Sequence, residues 1–183
     1  MRIIGGKYRG KKLITPSTDK IRPTTDRMRE TLFNILEHGT GPGIRGASIL
    51  DLFAGTGAFG VEALSRGAKH VTFIDNDAQS LKLTRQNAAQ IKNGDTCLFV
   101  QQDGRKILSK IGEFDVIFMD PPYHKNMILP ALQNVYEQNI LSDNGIIVVE
   151  FASDENIDFT ENFEELKSKK IGDTAFTIIR PVT

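Results

Sequence analysis

Residues 48–60 of the chain read SILDLFAGTGAFG. The apolar start, residues 48–53, has the composition of a buried β-strand, and the glycines after it permit a tight turn from a strand into a helix. Glycines at such a turn also let a ligand approach the backbone closely. The stretch therefore predicts a parallel α/β sheet whose first strand leads into a ligand-binding loop.

From residue 48 onwards, predicted strands alternate with predicted helices. The predicted strands lie near 48–53, 70–75, 97–102, 114–119 and 145–151, and the predicted helices near 58–66, 77–91, 104–111 and 126–138. Because these strands are apolar on both faces, we expect a parallel sheet with helices on both sides. The tail has two further strand-like runs, 163–170 and 174–180, around a turn at 171–173, which predicts an antiparallel hairpin at the sheet edge.

The region before this alternation predicts a hairpin, a linker and a helix. Residues 2–5 and 10–14 flank a polar loop bracketed by glycines, which is typical of a β-hairpin. Residues 16–23 are expected to be a linker. A helix capped by Thr24 or Thr25 is expected to follow it.

The net charge is zero, but its distribution is uneven. Residues 1–30 hold nine Lys/Arg and three acidic residues, a balance of +6, so the remainder holds 14 basic and 20 acidic residues, a balance of −6. A basic arm of this kind often contacts nucleic acid, although an ordinary solvated hairpin can have the same composition. We expect a basic hairpin and linker at residues 1–23 and a main domain at 24–183.

Composition also excludes several classes of protein. The chain has 183 residues, 39% of them hydrophobic, which suits one domain with a packed core. It has no run of about 18 apolar residues and no signal-peptide pattern, so a cytoplasmic protein is expected. Cys97 is a lone cysteine in an apolar run, as expected of a buried hydrophobe. His38, His70 and His124 lack metal-ligand spacing, so no metal is expected.

The glycine loop is compatible with two kinds of cofactor. Gly55, Gly57 and Gly60 satisfy the G-x-G-x-x-G pattern of dinucleotide folds. Asp75 ends the second predicted strand 18 residues after Gly57, close to the offset of an acid that binds ribose hydroxyls. Asp51 precedes the loop, where a carboxylate would repel a pyrophosphate but could accept hydrogen bonds from an ammonium group. With no second domain for a hydride acceptor, S-adenosylmethionine is favoured over a nicotinamide or flavin.

Asp103 ends the third predicted strand. Its carboxylate could accept a hydrogen bond from an adenine amino group, because strand ends meet at the ligand-binding edge of such sheets. It could equally cap the helix expected to follow. The two roles are compatible.

Residues 120–123, DPPY, follow the apolar strand predicted at 114–119. The Asp120 carboxylate and the Pro121 carbonyl can accept hydrogen bonds from an exocyclic amine, and the Tyr123 ring can stack on a planar base. The two prolines hold φ fixed and so present these acceptors rigidly. A proline turn with a buried tyrosine is the plainer alternative for so short a motif.

Taken together, these motifs resemble the bacterial small-subunit (16S) ribosomal RNA guanine-N2 methyltransferases (RsmD-like). The strings that carry the resemblance are RIIGGKYRGKKL at 2–13, RPT at 22–24, RETLFN at 29–34, DLFAGTG at 51–57, EALSRGA at 62–68 and DPPY at 120–123. Thr56 stands where many relatives have serine, which preserves a hydroxyl.

The resemblance implies a Rossmann-like class I methyltransferase fold. It would be a seven-stranded, mostly parallel sheet with helices on both faces, plus an N-terminal β-hairpin that helps to hold RNA. The implied reaction transfers a methyl group from S-adenosylmethionine to the exocyclic N2 of one guanine of 16S rRNA, position 966 in the usual rRNA numbering. The partner would be the small ribosomal subunit or its assembly intermediate, and a monomer without metal or membrane contact is expected.

The expected site residues fall into three groups. The catalytic group is Asp120, Pro121, Pro122 and Tyr123. The cofactor-binding group is Asp51, Phe53, Ala54, Gly55, Thr56, Gly57, Asp75, Asn76, Asp103 and Gly104. The RNA-binding group is Arg2, Lys7, Tyr8, Arg9, Lys11, Lys12, Arg22, Thr24 and Arg29.

Three other functions share parts of this pattern. A DNA adenine-N6 methyltransferase also uses an Asp-Pro-Pro-Tyr motif, but it needs a sequence-reading module, and the expected sheet uses most of residues 48–183. A dinucleotide-dependent oxidoreductase fits the glycines alone. A non-catalytic RNA-binding module fits the basic arm alone.

Overall fold

A computed structural model describes residues 1–16, 26–39, 41–92, 96–107 and 111–182. The α-helices of this part of the chain are α1 Asp26–Glu37, α2 Ala58–Ser65, α3 Ala78–Ala88 and α4 Ile128–Gln138. Its strands are β1 Ser48–Leu52, β2 His70–Asp75, β3 Cys97–Gln101, β4 Phe114–Met119, β5 Leu141–Ala152, β6 Phe163–Ile171 and β7 Thr174–Pro181.

The strands form one seven-stranded sheet in the order β3-β2-β1-β4-β5-β7-β6. Strands β1 to β5 pair in parallel, whereas β7 is antiparallel to both β5 and β6. The strand order reverses between β1 and β4, and open α/β sheets bind ligands at the carboxyl ends of strands at such a point. The expected class I methyltransferase sheet, with its terminal antiparallel pair, is confirmed.

Apolar cores lie on both faces of the sheet. Successive side chains of a strand point to opposite faces, so Ile49 enters one core and Leu50 the other. The first core packs against α1, α2 and α3, and the second packs against α4. Helices therefore pack against both faces of β1, β2 and β4, the strands whose carboxyl ends lie at the switch point.

The N-terminal arm, defined here as residues 1–16, forms a hairpin with one β-bridge, between Arg2 and Lys12. Ile3 and Leu13 are buried, so the arm is anchored to the main domain by apolar packing. Among the described residues, no helix is long and apolar enough to cross a membrane.

Two sequence-based expectations have a different outcome. Residues 17–23 of the expected linker and the proposed capping residues Thr24 and Thr25 lie outside the described residues. The helix expected near 104–111 is not seen in its described beginning, where residues 104–106 form a turn, and residues 108–110 lie outside the described part.

Candidate active site

A cavity of about 500 Å³ opens at the carboxyl ends of β1, β2 and β4. Three segments that are far apart in sequence line it: the loop after β1 at 53–56, the turn after β2 at 75–77, and residues 120–123 after β4. These are the segments that the sequence assigned to cofactor and substrate. The fold therefore brings the two expected groups to one cavity at the switch point of the sheet.

The loop after β1 requires glycine at two positions for different reasons. Gly57 has φ of 72°, and a Cβ there would lie 2.6 Å from Thr84 Cγ2. A Cβ on Gly60 would lie 2.3 Å from the Phe73 ring, so that glycine lets α2 pack closely on β2. Phe53 also has a positive φ, 65°, which is strained for a bulky residue and marks the sharp exit from β1.

Asp75 holds this loop in place. Its carboxylate accepts hydrogen bonds from Gly55 N at 2.8 Å and from Asp77 N at 2.9 Å. Burial raises the pKa of Asp75, and these backbone hydrogen bonds partly oppose the increase. Each carboxylate oxygen retains a second lone pair, so the same group can still accept from ligand hydroxyls.

Asp51 is a nearly fully buried carboxyl group on the cavity wall. Its Oδ2 accepts a hydrogen bond from Gly60 N at 2.9 Å. Burial raises the pKa of Asp51 to about 8, the Gly60 hydrogen bond lowers it, and the neighbouring charge of Asp75 raises it further. The group is therefore mostly protonated near neutral pH until a cation binds beside it.

Residues 120–123 follow β4 directly, and all four line the cavity. Asp120 N donates to Leu52 O at 3.4 Å, which holds the start of the motif against the end of β1. Tyr123 Oη donates to Glu150 Oε1 at 3.3 Å and lies 3.4 Å from Thr174 Oγ1. Burial, Asp120 and Glu150 all raise the pKa of Tyr123, so its phenol stays neutral.

Comparisons with known proteins agree with this geometry. A family model described as "Conserved hypothetical protein 95" matches residues 1–180. The chain belongs to this family. Ribosomal RNA small subunit methyltransferase D of Haemophilus influenzae is 37% identical over 182 residues, which cover 97% of this chain and 92% of that protein. The protein of the same name from Escherichia coli K12 is 39% identical over 151 residues, which cover 82% of this chain and 74% of that protein.

The fold comparison gives the same family. The solved structure of the Escherichia coli protein yhhF superposes with a TM-score of 0.84 at 33% identity, covering 99% of this chain and 97% of that one. Since the similarity extends over nearly the full length of both chains, the N-terminal arm belongs to the family fold as well as the sheet.

Most of the expected cofactor residues of this family member meet at the cavity. Those that line it are Asp51, Phe53, Ala54, Gly55, Thr56, Asp75 and Asn76. Gly57, Asp103 and Gly104 are not on its wall. Gly57 instead begins α2, and Gly104 packs so closely on Phe53 that a Cβ would lie 2.7 Å from the ring.

Asp103 has a local partner that the sequence did not suggest. Its carboxylate pairs with the Arg105 guanidinium at 2.6 Å and accepts from Arg105 N at 3.0 Å. The Arg105 side chain and backbone lower the pKa of Asp103 to about 2. The carboxylate stabilises a turn, not the start of a helix, so an adenine amino group would have to share it with Arg105.

Sequence reasoning missed several residues on the cavity wall, namely Ala58, Phe59, Asp77, Ser80, Phe118 and Met127. Phe59 and Phe118 stack with ring centroids 4.0 Å apart and form an apolar floor. Both resemble ordinary core residues in sequence, so no local signal distinguishes them. Asp77 did carry a signal, since it caps α3 by accepting from Gln79 N and Ser80 N.

The arm presents a row of exposed cationic residues. The expected RNA contacts on the surface are Arg2, Lys7, Arg9, Lys11 and Lys12. Tyr8 is half-buried, packs against the core, and its hydroxyl accepts from Lys92 N at 3.2 Å. This contact holds Tyr8 on the main domain, and its expected role in RNA binding stays a prediction.

Arg29 requires a correction. It was expected to contact RNA, but its side chain is only 1% exposed, so the structure gives it a buried position instead of a surface one. Its Nη2 donates to Arg2 O and to Asp26 Oδ1, both at 2.8 Å. The other two expected contacts, Arg22 and Thr24, lie outside the described residues.

The sequence also missed the residues of α2 that fix the arm. Glu62, which is fully buried, accepts hydrogen bonds from Ile4 N and Gly5 N, both at 2.7 Å. Ser65 Oγ accepts from Tyr8 N at 3.0 Å and donates to Gly5 O at 2.7 Å. Because α2 begins at the glycine loop, the arm rests on the element that also shapes the cavity.

Binding of S-adenosylhomocysteine is expected to release most of a proton from Asp51 near neutral pH. Below pH 8 the free carboxyl is mainly protonated, and a bound ammonium group favours the carboxylate, so affinity should rise with pH up to about 8. Calorimetry in buffers of different ionisation enthalpy measures this release. Asp51→Asn keeps the acceptor for Gly60 N but should abolish the Asp51 contribution; an unchanged proton count would contradict the assignment.

Replacing Asp75 with alanine is expected to weaken S-adenosylhomocysteine binding by about 1–3 kcal/mol, because Gly55 N, Asp77 N and the ligand hydroxyls all lose an acceptor. Calorimetric affinity is the measurement. Asp75→Asn retains one acceptor oxygen and should lose less. Equal affinities for wild type and Asp75→Ala would show that the ribose contact is misassigned.

Proposed function

We propose that the chain transfers a methyl group from S-adenosylmethionine to the exocyclic N2 of a guanine in 16S rRNA, at position 966. The observation that carries the proposal is that Asp120 and Tyr123 share one cavity with Asp51 and Asp75. Asp120 and Tyr123, which suit a base with an exocyclic amine, thus lie beside Asp51 and Asp75, which suit a nucleoside that carries an amino acid with an ammonium group. The relatives named ribosomal RNA small subunit methyltransferase D support methyl transfer to small-subunit rRNA.

The described residues fit S-adenosylmethionine. The buried carboxyl of Asp51 suits an ammonium group, because a charge beside it offsets the cost of ionisation in an apolar site. The Asp75 carboxylate, held by two backbone N–H groups, suits a pair of ribose hydroxyls. S-adenosylmethionine, when bound, supplies a methyl group already activated by a sulfonium. Among the described residues, no cluster could hold a metal ion.

Asp120 and Pro121 act on the acceptor base. A guanine amine is a weak nucleophile because its lone pair is delocalised into the ring, and the base must leave its stack to enter the cavity. The Asp120 carboxylate and the Pro121 carbonyl accept the two amine hydrogens. Positive charge grows on the nitrogen in the transition state, so fixed acceptors there lower the barrier as well as bind the base.

Tyr123 supplies the face on which the base stacks. Its ring is partly exposed to the cavity, while its hydroxyl points away towards β5 and β7. Stacking on such a ring is tolerant of sequence and contributes about 1–3 kcal/mol per base. The ring therefore orients the base plane, and Asp120 orients the amine within it.

The arm is expected to bind RNA phosphates. Changing Lys7 and Arg9 to glutamine should weaken RNA binding and lower the magnitude of the slope of log affinity against log salt by about 1–2. A filter-binding titration with a 16S rRNA fragment at several salt concentrations measures both effects. The matched control changes Lys167 and Lys169, which are exposed on edge strand β6. Equal slopes for the two double variants would leave the arm as ordinary solvated surface.

The experiment that tests the proposal is methylation of small-subunit particles from a strain that lacks the modification, followed by mapping of the modified base. We expect one N2-methylguanine at position 966. Incorporation into adenine of duplex DNA, compared in parallel, would favour the DNA methyltransferase alternative. Tight RNA binding without incorporation would favour a non-catalytic RNA-binding module.

A further inference from the structure

Glu150 is a buried carboxylate to which the proposed chemistry gives no role. It lies on β5, between β4 and β7, and is 2% exposed. A charge in such a place is costly unless nearby groups compensate it. Its position relative to the cavity indicates what it does.

The sheet register places Glu150 beside the reactive motif. β4 and β5 pair in parallel, with Met119 opposite Val149. Asp120 and Glu150 are the next residues along these two neighbouring strands. Both carboxylates act on the Tyr123 hydroxyl, whose pKa each of them raises.

The antiparallel partner strand contributes a second group. Ala152 lies opposite Thr174, and Glu150 lies two residues before Ala152, so Glu150 and Thr174 are diagonal neighbours on one face of the sheet. Their oxygens lie 3.3 Å and 3.4 Å from Tyr123 Oη. These distances are long for hydrogen bonds between oxygens, as is common for active-site contacts before substrate binds.

A buried cation lies near this arrangement. Arg29, in the first turn of α1, is 1% exposed, and its Nε and Nη1 have no hydrogen-bond partner among the described residues. Burial lowers the pKa of Arg29, while the charges of Glu62, Asp26 and Glu150 raise it. The Arg29 guanidinium is thus close enough to Glu150 for the two groups to interact electrostatically.

We propose that Glu150 is a positioning residue that, with Thr174, fixes the orientation of the Tyr123 ring beside Asp120. The inference rests on the proposed function, since the ring orientation affects the rate only if a base stacks on it. A ring held in one orientation raises the fraction of bound bases whose amine meets Asp120.

The test is a double-mutant cycle of Tyr123→Phe, which removes only the hydroxyl, and Glu150→Gln, which removes only the charge. Steady-state methylation of small-subunit particles gives kcat and KM separately. We expect each single variant to lower kcat by about 3- to 10-fold, the effect of one hydrogen bond. The double variant should lose no more than the larger single loss, because Glu150→Gln weakens the same hydrogen bond that Tyr123→Phe removes.

Thr174→Val provides an independent arm if Glu150→Gln folds poorly, because it removes the other hydroxyl contact without altering charge. Thr174→Val should also lower kcat. When it is added to Tyr123→Phe, it should cause no further loss. The positioning role would be overturned if, in both double variants with Tyr123→Phe, the fold-loss in kcat equalled the product of the two single losses. A normal kcat for Tyr123→Phe would overturn it as well. No incorporation by the wild-type protein would instead refute the proposed function.

A second measurement does not depend on activity. The ¹³Cζ chemical shift of labelled Tyr123, measured by NMR in the cofactor-bound protein, reports the hydrogen bonds of its hydroxyl and should differ from the wild type in both Glu150→Gln and Thr174→Val. Identical Cζ shifts in the three proteins would contradict a ring held by these two groups.

Discussion

Replacing Asp120 with alanine is expected to lower the rate of methyl transfer by at least about 100-fold, the loss typical of removing one preorganised electrostatic group. The reason is that the positive charge on the amine exists mainly in the transition state, and Asp120 is the carboxylate that follows β4 into the cavity. Cofactor affinity should be largely retained, because the proposed cofactor contacts are made by Asp51 and Asp75 and not by Asp120.

Single-turnover methylation of small-subunit particles measures the Asp120→Ala rate, and calorimetry with S-adenosylhomocysteine checks the cofactor site. Asp120→Asn is the matched control, since it keeps an acceptor oxygen but loses the charge. Its rate should lie between those of the wild type and Asp120→Ala. Near-normal transfer by Asp120→Ala would remove this residue from the mechanism.

Replacing Arg29 with methionine is expected to destabilise the protein by about 3–5 kcal/mol, because Arg2 O and Asp26 would lose the donor they share and Glu150 would lose a nearby positive charge. Urea unfolding followed by circular dichroism measures the free energy of unfolding. The effect would be a large part of the total stability of a domain of this size.

Two controls isolate the buried charge in this experiment. Arg27→Met lies on the exposed side of the same helix and should leave the free energy of unfolding nearly unchanged. Adding Glu150→Gln to Arg29→Met should recover part of the loss, since Glu150 is one of the charges that act on Arg29. A loss below about 1 kcal/mol for Arg29→Met would show that the cation contributes little.

The sheet was predictable because its signal is local. Strands apolar on both faces, separated by helical segments, dictate a parallel sheet, and the glycine loop marks its first crossover. The error near residue 104 is also local in origin, because the ion pair between Asp103 and Arg105 stabilises a turn where a helix was expected. β5 begins at Leu141, earlier than expected, since Leu141 pairs with Phe114 across a register shift.

Residues on the cavity wall could be predicted only where they belong to a recognisable sequence motif. Asp51, Asp75 and Asp120 end or follow strands, so their common edge follows from the topology. The charges at Arg29, Glu62 and Glu150 could not be found in this way. Glu62 pairs with Arg66 and accepts from the arm, and the charges of Glu62 and Glu150 act on Arg29, so these relations arise only in the folded chain. In the sequence, Arg29 was indistinguishable from the other cationic residues among residues 1–30.

A structure with bound S-adenosylhomocysteine would show directly whether the cofactor and the acceptor base meet in this cavity. We expect the ligand ammonium group at Asp51, the ribose hydroxyls at Asp75, and the sulfur facing the Asp120 carboxylate across a gap wide enough for a base amine. A ligand bound elsewhere, or an Asp120 side chain turned away from the sulfur and closed off from any entering base, would contradict it.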